Sequence, residues 1–347
     1  MVIKSLSVKK SKLKIWARDN MKGVENETIP SFTPDLSELD EEGIRWDVQQ
    51  AIKHGFFSTL CTCEVGLTFE EAKRFVEIVA DEAKDKILVS VTLLFDSLDE
   101  NFEMLKHAEK VGCDTVLLGY PPNYYPESEK EVYEITEEMC ESTNLAIVLY
   151  PHPQYNFERF HPSGFPPKLL EQFAEFDNVV AVKVGEHGLA AECVRRFGDK
   201  LLISMPQERY LPFNFLAFKQ QWIGAGPYEV YQSPEDQYLV RYFILMMEGE
   251  WEKAMEIYWQ LTPVRSLFEQ QHAPTALLGT YHWNLHKFYQ WLVGGNGGFV
   301  RQPCMKLYIH DMEQTKFMMR MAGINIREAP YEEFYMGRSN YAKLKKK

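Results

Sequence analysis

Between about residue 26 and residue 245, hydrophobic and polar positions alternate in two rhythms. Short apolar runs bounded by Gly, Pro or charged residues predict strands at Thr28–Phe32, Phe57–Cys63, Ile87–Leu93, Thr115–Tyr120, Leu145–Tyr150, Val179–Val184, Leu201–Ser204 and Gln221–Gly224. Their nearly continuous apolar character predicts burial on both faces, as in a parallel sheet. Between them, amphipathic stretches predict helices over Glu41–His54, from Thr68 onward (with a capping-box spacing to Glu71), and over Leu98–Val111, Ser128–Glu141, Pro167–Phe176, Leu189–Phe197, Gln207–Lys219 and Pro234–Glu248. A right-handed series of eight such pairs is most simply an α/β fold of the (β/α)8 TIM-barrel kind, placed at residues 22–248. A doubly wound open sheet is the alternative, but it would more often show a Gly-rich turn after its first strand. Pro30-Ser31-Phe32-Thr33-Pro34 stands there instead. Beyond residue 248 the pattern is purely helical, with Trp251–Gln270, Ala276–Val293 and Ile309–Ala322 forming a C-terminal extension over 249–330.

Composition narrows the function classes. The 347 residues are 45% hydrophobic and 25% charged, an ordinary globular balance. A formal net charge of -12 argues against binding nucleic acid through its phosphates. No apolar run is long enough to predict a membrane span, and the N-terminus lacks the apolar stretch of a signal peptide. Six scattered cysteines do not make a disulfide framework and fit a reducing cytoplasm.

The candidate chemistry begins at Lys183, a lysine at the end of the apolar run Val179-Val180-Ala181-Val182-Lys183-Val184-Gly185. Such an amine must reach water, find a partner or lose its proton. A neutral amine in an apolar pocket condenses with a carbonyl to give a Schiff base; the alternative is a lysine that snorkels from a strand end. In a (β/α)8 barrel the chemistry gathers at the C-terminal strand ends. Tyr150 ends the neighbouring strand, where a phenol can shuttle the protons that carbinolamine formation and collapse require.

Four stretches now fall in one order: Leu60-Cys61-Thr62-Cys63-Glu64, Gly112-Cys113-Asp114-Thr115-Val116-Leu117-Leu118, Ile147-Val148-Leu149-Tyr150-Pro151 and Val180-Ala181-Val182-Lys183. In order and spacing the chain resembles the dihydrodipicolinate synthase / N-acetylneuraminate lyase superfamily of class I aldolases, over roughly residues 22 to 310. The resemblance implies that Lys183 binds pyruvate, or another 2-keto acid, as an imine. It implies that Tyr150 shuttles protons, and that Cys61 and Thr62 hold the pyruvate carboxylate with the Gly224 backbone close by. It also implies that no metal or organic cofactor is needed, and that the chain is a homo-oligomer, a dimer or tetramer. Tyr124 would then reach an active site across a subunit interface, or else pack under its loop.

Departures from the family pattern bear on the second substrate. Cys61 replaces the first threonine of the family's Gly-Thr-Thr-Gly-Glu, and Leu60 and Cys63 replace its glycines. Five residues after Tyr150, where dihydrodipicolinate synthases carry an arginine for the aldehyde's carboxylate, stands Tyr155. With Gln207, and with His152, Gln154, Asn156 and Phe157, it suggests an aromatic and amide lining for a flatter, less charged aldehyde. The nearest resemblance is to the hydratase-aldolase branch, which acts on aryl-substituted 2-keto-3-enoates. Two enzyme alternatives use the same lysine: a 2-keto sugar-acid dehydratase or lyase, and a dihydrodipicolinate synthase-like condensation. A keto-acid-binding paralogue without turnover is the non-enzyme alternative. Cys61 and Cys63 read as small pocket residues rather than metal ligands, and His282 and His286 as surface or packing residues. Glu186 and His187, close after the lysine, either tune it or are merely solvated.

Overall fold

The computed structural model describes residues 2–346. In chain order the main elements are α1 (Leu13–Asn20), β1 (Gly23–Thr28), α2 (Glu41–Lys53), β2 (Ser58–Cys61), α3 (Phe69–Ala83), β3 (Leu88–Leu93), α4 (Leu98–Val111), β4 (Thr115–Leu118), α5 (Glu129–Glu141), β5 (Ala146–Leu149), α6 (Pro167–Phe173), β6 (Val179–Lys183), α7 (His187–Phe197), β7 (Leu202–Ser204), α8 (Leu211–Phe218) and β8 (Trp222–Gly226). Seven helices follow: α9 (Tyr238–Met247), α10 (Trp251–Gln260), α11 (Thr262–Leu278), α12 (Trp283–Leu292), α13 (Ile309–Met321), α14 (Tyr331–Met336) and α15 (Arg338–Lys345). The strands run in the sheet order β7-β6-β5-β4-β3-β2-β1-β8, and the fold is a (β/α)8 TIM barrel with C-terminal helices. None of the described helices is long and apolar enough to cross a membrane.

By backbone contacts the chain divides into two compact units, Met1–Glu25 with Lys84–Gly224, and Asn26–Ala83 with Ala225–Lys347. The first unit holds the parallel ladder β3 to β7. Val91 pairs with Val116, Leu117 with Val148, Leu149 with Val182, and Lys183 with Ser204. Every residue of β3, β4, β5 and β6 is buried, as the apolar runs predicted. Asp114, at the entry to β4, ties the N-terminal segment down. Its carboxylate accepts from Lys4 Nζ (2.8 Å), Ser5 N (3.1 Å) and Val89 N (3.0 Å).

The first strand lies earlier than its reading. Expected at Thr28–Phe32, β1 instead runs from Gly23 to Thr28, through Glu25-Asn26-Glu27, all buried. Its polar sequence carries no strand signal because its partners come from the other end of the chain. Within the second unit the Asn26 amide donates to Glu229 Oε1 (2.8 Å), and the Gln290 amide to the Glu27 carbonyl (2.8 Å). Burial holds Glu229 up at about 8.

All ten residues of α12 are buried, polar ones included. His286 is therefore a buried residue of a polar chain, not a surface one. His272 Nδ1 faces the Phe268 carbonyl (2.8 Å) and so carries a proton; its Nε2 accepts from His286 Nε2 (2.7 Å). His286 Nδ1 meets Glu27 Oε1 at 2.6 Å, so that pair shares one proton. One residue further, Lys287 reaches Ser31 Oγ (2.8 Å), the Ile29 carbonyl (3.2 Å) and Asp47 Oδ2 (3.3 Å), while Asp47 Oδ1 accepts from Asn296 N (2.6 Å).

The helical region also differs from expectation in its breaks. The stretch expected as one helix over Trp251–Gln270 is two, because Pro263 starts α11 afresh at its first turn. Gly279, in the left-handed region at φ +59, then ends α11 and splits the expected Ala276–Val293 helix. Helices α1, α14 and α15 were not expected; α1 nevertheless buries Leu13, Trp16 and Ala17 at helical spacing, while α14 is short and α15 largely polar.

Candidate active site

Strand β6 ends at Lys183, which is 7% exposed. Successive strand residues face opposite sides, so Lys183 shares a face with Ala181 and Val179. Leu149 pairs with Val182, and this sets Tyr150 beside Lys183 at the same end of the ladder. The Lys183 ammonium nitrogen lies 5.2 Å from the centre of the Tyr150 ring. Ser204, which pairs with Lys183, accepts a hydrogen bond from Gly224 N (2.9 Å). A Cβ on Gly224 would stand 3.1 Å from Lys183 Cδ and 2.9 Å from Trp222 Cζ3. The missing side chain at 224 is what gives the lysine stem its passage.

After Tyr150 the chain turns through Pro151-His152-Pro153. The His152 ring lies 4.8 Å from that of Tyr150 and 6.2 Å from that of Tyr155. Gln154 N donates to His152 Nδ1 (3.3 Å), so the proton of the neutral ring is on Nε2. Burial first, and then the charge of Lys183, lower His152 to about 4, which keeps it uncharged at neutral pH.

Tyr155 is buried in an aromatic cluster around Tyr120, which it meets edge-on at 5.2 Å; Phe157 and Phe165 complete the cluster at 5.6 and 6.3 Å from Tyr120. A Cβ on Gly119 would collide with the Tyr155 hydroxyl, so a glycine there lets the ring lie down. Tyr124 stacks on Tyr120 at 6.3 Å and donates from its hydroxyl to Glu131 Oε1 (3.0 Å); burial first, and then this hydrogen bond, raise its pKa. Gln207, after β7, donates from Nε2 to the Gly185 carbonyl (2.8 Å). Glu186 is engaged in capping α7: its carboxylate accepts from Gly188 N (2.7 Å) and from Leu189 N. His187 packs among Tyr210, Phe213 and Phe218.

Within this unit the structure thus brings together Lys183, Tyr150 and Gly224, with Gln207 against the loop after the lysine and Tyr124 and Tyr155 on the Tyr120 cluster. It sets His152, expected in the lining, against Tyr150, and adds Ser204. Cys61 and Thr62 belong to the other unit. There Cys61 ends β2, and Thr62 donates from both its N–H (3.1 Å) and its hydroxyl (2.8 Å) to the Thr28 carbonyl. Among the described residues no group of three or more His, Cys, Asp or Glu side chains could hold a metal ion.

Comparison with known proteins places this arrangement. The model of the dihydrodipicolinate synthetase family matches residues 22–212. A 4-hydroxy-tetrahydrodipicolinate synthase of Methanopyrus kandleri is 28% identical over 261 residues, 72% of this chain and 82% of that protein. A DapA-like lyase of Pyrobaculum arsenaticum is 25% identical over 315 residues, 88% of this chain and 99% of the relative. The crystal structure of N-acetylneuraminate lyase from Fusobacterium nucleatum shares the fold, with a TM-score of 0.67 at 18% identity over 86% of this chain and 98% of that one. With more than half of its length matched, and Tyr150 and Lys183 inside the matched segment, the chain belongs to the dihydrodipicolinate synthetase family and is a lyase of the pyruvate-dependent class I aldolase type.

Proposed function

We propose that the protein makes or cleaves a carbon–carbon bond between pyruvate, or a related 2-keto acid, and an uncharged aromatic aldehyde, in the manner of a hydratase-aldolase. The observation that carries this reading is the approach of Lys183 to Tyr150, with the amine 5.2 Å from the phenol ring on the neighbouring strand end. The neutral amine adds to the keto carbon, the carbonyl π pair moves onto oxygen and takes the Tyr150 proton, and the new N–H+ returns a proton to the phenolate. That phenol proton then goes to the hydroxyl, which leaves as water as the nitrogen lone pair forms the protonated imine. The imine draws electrons from C3, whose proton passes to the Tyr150 phenolate to give an enamine and a phenol. The enamine carbon attacks the aldehyde carbon, the aldehyde oxygen takes a proton, and hydrolysis frees Lys183. In reverse, water adds across the alkene of an imine-bound 2-keto-3-enoate, and retro-aldol cleavage releases pyruvate and the aldehyde. The aromatic cluster with Tyr155, and the Gln207 amide, supply an acceptor side suited to a flat, neutral partner.

Borohydride with pyruvate tests the mechanism. It is expected to fix a three-carbon unit on Lys183, read by peptide mass spectrometry; no adduct, or an adduct on another lysine, overturns it. A synthase-like condensation is the second reading, supported by the 28% identity to 4-hydroxy-tetrahydrodipicolinate synthase. It predicts faster turnover with a carboxylate-bearing aldehyde such as glyoxylate than with 2-hydroxybenzaldehyde. The roles of Cys61 and Thr62 toward the carboxylate, and of Tyr124 across an oligomer interface, rest on the family resemblance. Thr62→Val is expected to raise KM for pyruvate about tenfold, and sedimentation to show a dimer or tetramer.

A further inference from the structure

We infer that His152 is a further residue of this site, its Nε2–H donating a hydrogen bond to the oxygen of the aldehyde half of the substrate; the inference rests on the Schiff-base reading above. The ring packs between two tyrosines, its centre 4.8 Å from that of Tyr150 and 6.2 Å from that of Tyr155. Its loop fixes its orientation. Gln154 N donates to Nδ1 at 3.3 Å, which turns the Nδ1 edge toward its own backbone and leaves Nε2–H on the opposite edge. The same hydrogen bond fixes the tautomer, since a nitrogen that accepts an N–H carries no proton. The positive charge of Lys183, which becomes an iminium cation during the reaction, opposes a second cation beside it. The imidazole therefore stays a donor throughout.

The chemistry that suits such a donor is an oxygen gaining partial charge. When the enamine pair forms the new C–C bond, the aldehyde π pair moves onto its oxygen, and the proton that completes the hydroxyl comes from the Tyr150 phenol. His152 neither gains nor loses a proton. Its hydrogen bond strengthens as the oxygen becomes more negative, which lowers the barrier for that step alone. The formation of the pyruvate enamine precedes the aldehyde and does not use it. A neutral N–H also explains how the chain manages an acceptor half without an arginine at position 155. It matches a carbonyl or hydroxyl oxygen better than a full carboxylate.

The test separates the two half-reactions in the full-length protein and in His152→Gln and His152→Phe. Exchange of pyruvate methyl protons in D2O is followed by NMR. Addition of pyruvate to benzaldehyde, 2-hydroxybenzaldehyde and propanal is followed by product formation. The Gln side chain keeps an N–H near the position of Nε2, and Phe does not. In His152→Phe the ratio of aldehyde addition to exchange is expected to fall about 30-fold or more, and in His152→Gln to recover to within about fivefold of wild type. The 15N spectrum of the wild-type ring is expected to show the Nε2–H tautomer from pH 6 to 8. An Nδ1–H tautomer, equal behaviour of the two variants, or parallel loss of exchange and addition overturns the inference. So does a wild-type protein that exchanges pyruvate protons yet adds to none of the aldehydes, while leaving the Schiff-base reading intact. A wild-type protein that exchanges no protons overturns the Schiff-base reading itself.

Discussion

Each of the two units buries a lysine, and the two lysines have opposite surroundings. Lys287, 0% exposed on α12, is held by Asp47, a hydroxyl and backbone carbonyls. Burial pulls its pKa down, with Asp47 opposing the shift. Lys183, 7% exposed at the end of β6, runs past a glycine toward the ring of a phenol. An ammonium fixed by a carboxylate and several oxygens is a structural cation; an amine delivered to a phenol at the open end of a parallel ladder is placed for chemistry. Burial alone therefore does not mark a reactive lysine.

Substitution sharpens the contrast. Lys183→Met is expected to abolish borohydride trapping and to lower pyruvate proton exchange by at least about 10³-fold. The unfolding free energy in urea should change by no more than about 1 kcal/mol, since the volume is nearly kept. Lys287→Met should do the reverse. Left buried with Asp47 uncompensated, it is expected to lose about 3–5 kcal/mol in urea unfolding, and adding Asp47→Leu should restore most of that. If the single Lys287 variant is as stable as wild type, the pair is not the structural cation described. Gly224→Ala intrudes on the lysine stem and on the Trp222 ring, and is expected to lower turnover about tenfold and stability by about 1–3 kcal/mol.

The smallest effect concerns the neighbour of Lys183. His152 titrates at about 4 in the fold and near 6.5 unfolded. On acidification the unfolded chain takes up a proton that the fold refuses. The stabilisation is complete above pH 6.5 and is lost as pH falls toward 4. Between pH 7.5 and 6, His152→Gln should therefore lose about 0.7 kcal/mol less stability than wild type, measured by parallel urea titrations. An equal loss would place a charged His152 beside Lys183.

Of the two lysines, only Lys183 was legible in the sequence. An ammonium in an apolar strand violates the pattern around it, and the ladder then converts strand order into proximity to Tyr150. Lys287 sits in a helix with Asn284, His286 and Gln290, which looks like an ordinary polar face until the partners are known. The same holds for β1: Asn26-Glu27 reads as a loop because its compensation lies on α12 and in the segment after β8. Local patterns report burial when apolar side chains supply it, and miss it when long-range hydrogen bonds do. The acceptor side fell between these cases. The aromatic residues after Tyr150 were visible, but the collapse of Tyr155 onto Gly119 and the tautomer of His152 follow from hydrogen bonds and packing that composition does not encode.

The polar first strand also sets a timetable for biosynthesis. Glu27 and His286 are 259 residues apart in the chain. At about 5–20 residues per second, a ribosome needs roughly 10 to 50 s to make the partner of a strand it has already released. Until then the Glu27 carboxylate lacks the histidine that meets it in the fold. Burial of Glu27 is complete only once His286 and Gln290 have been made.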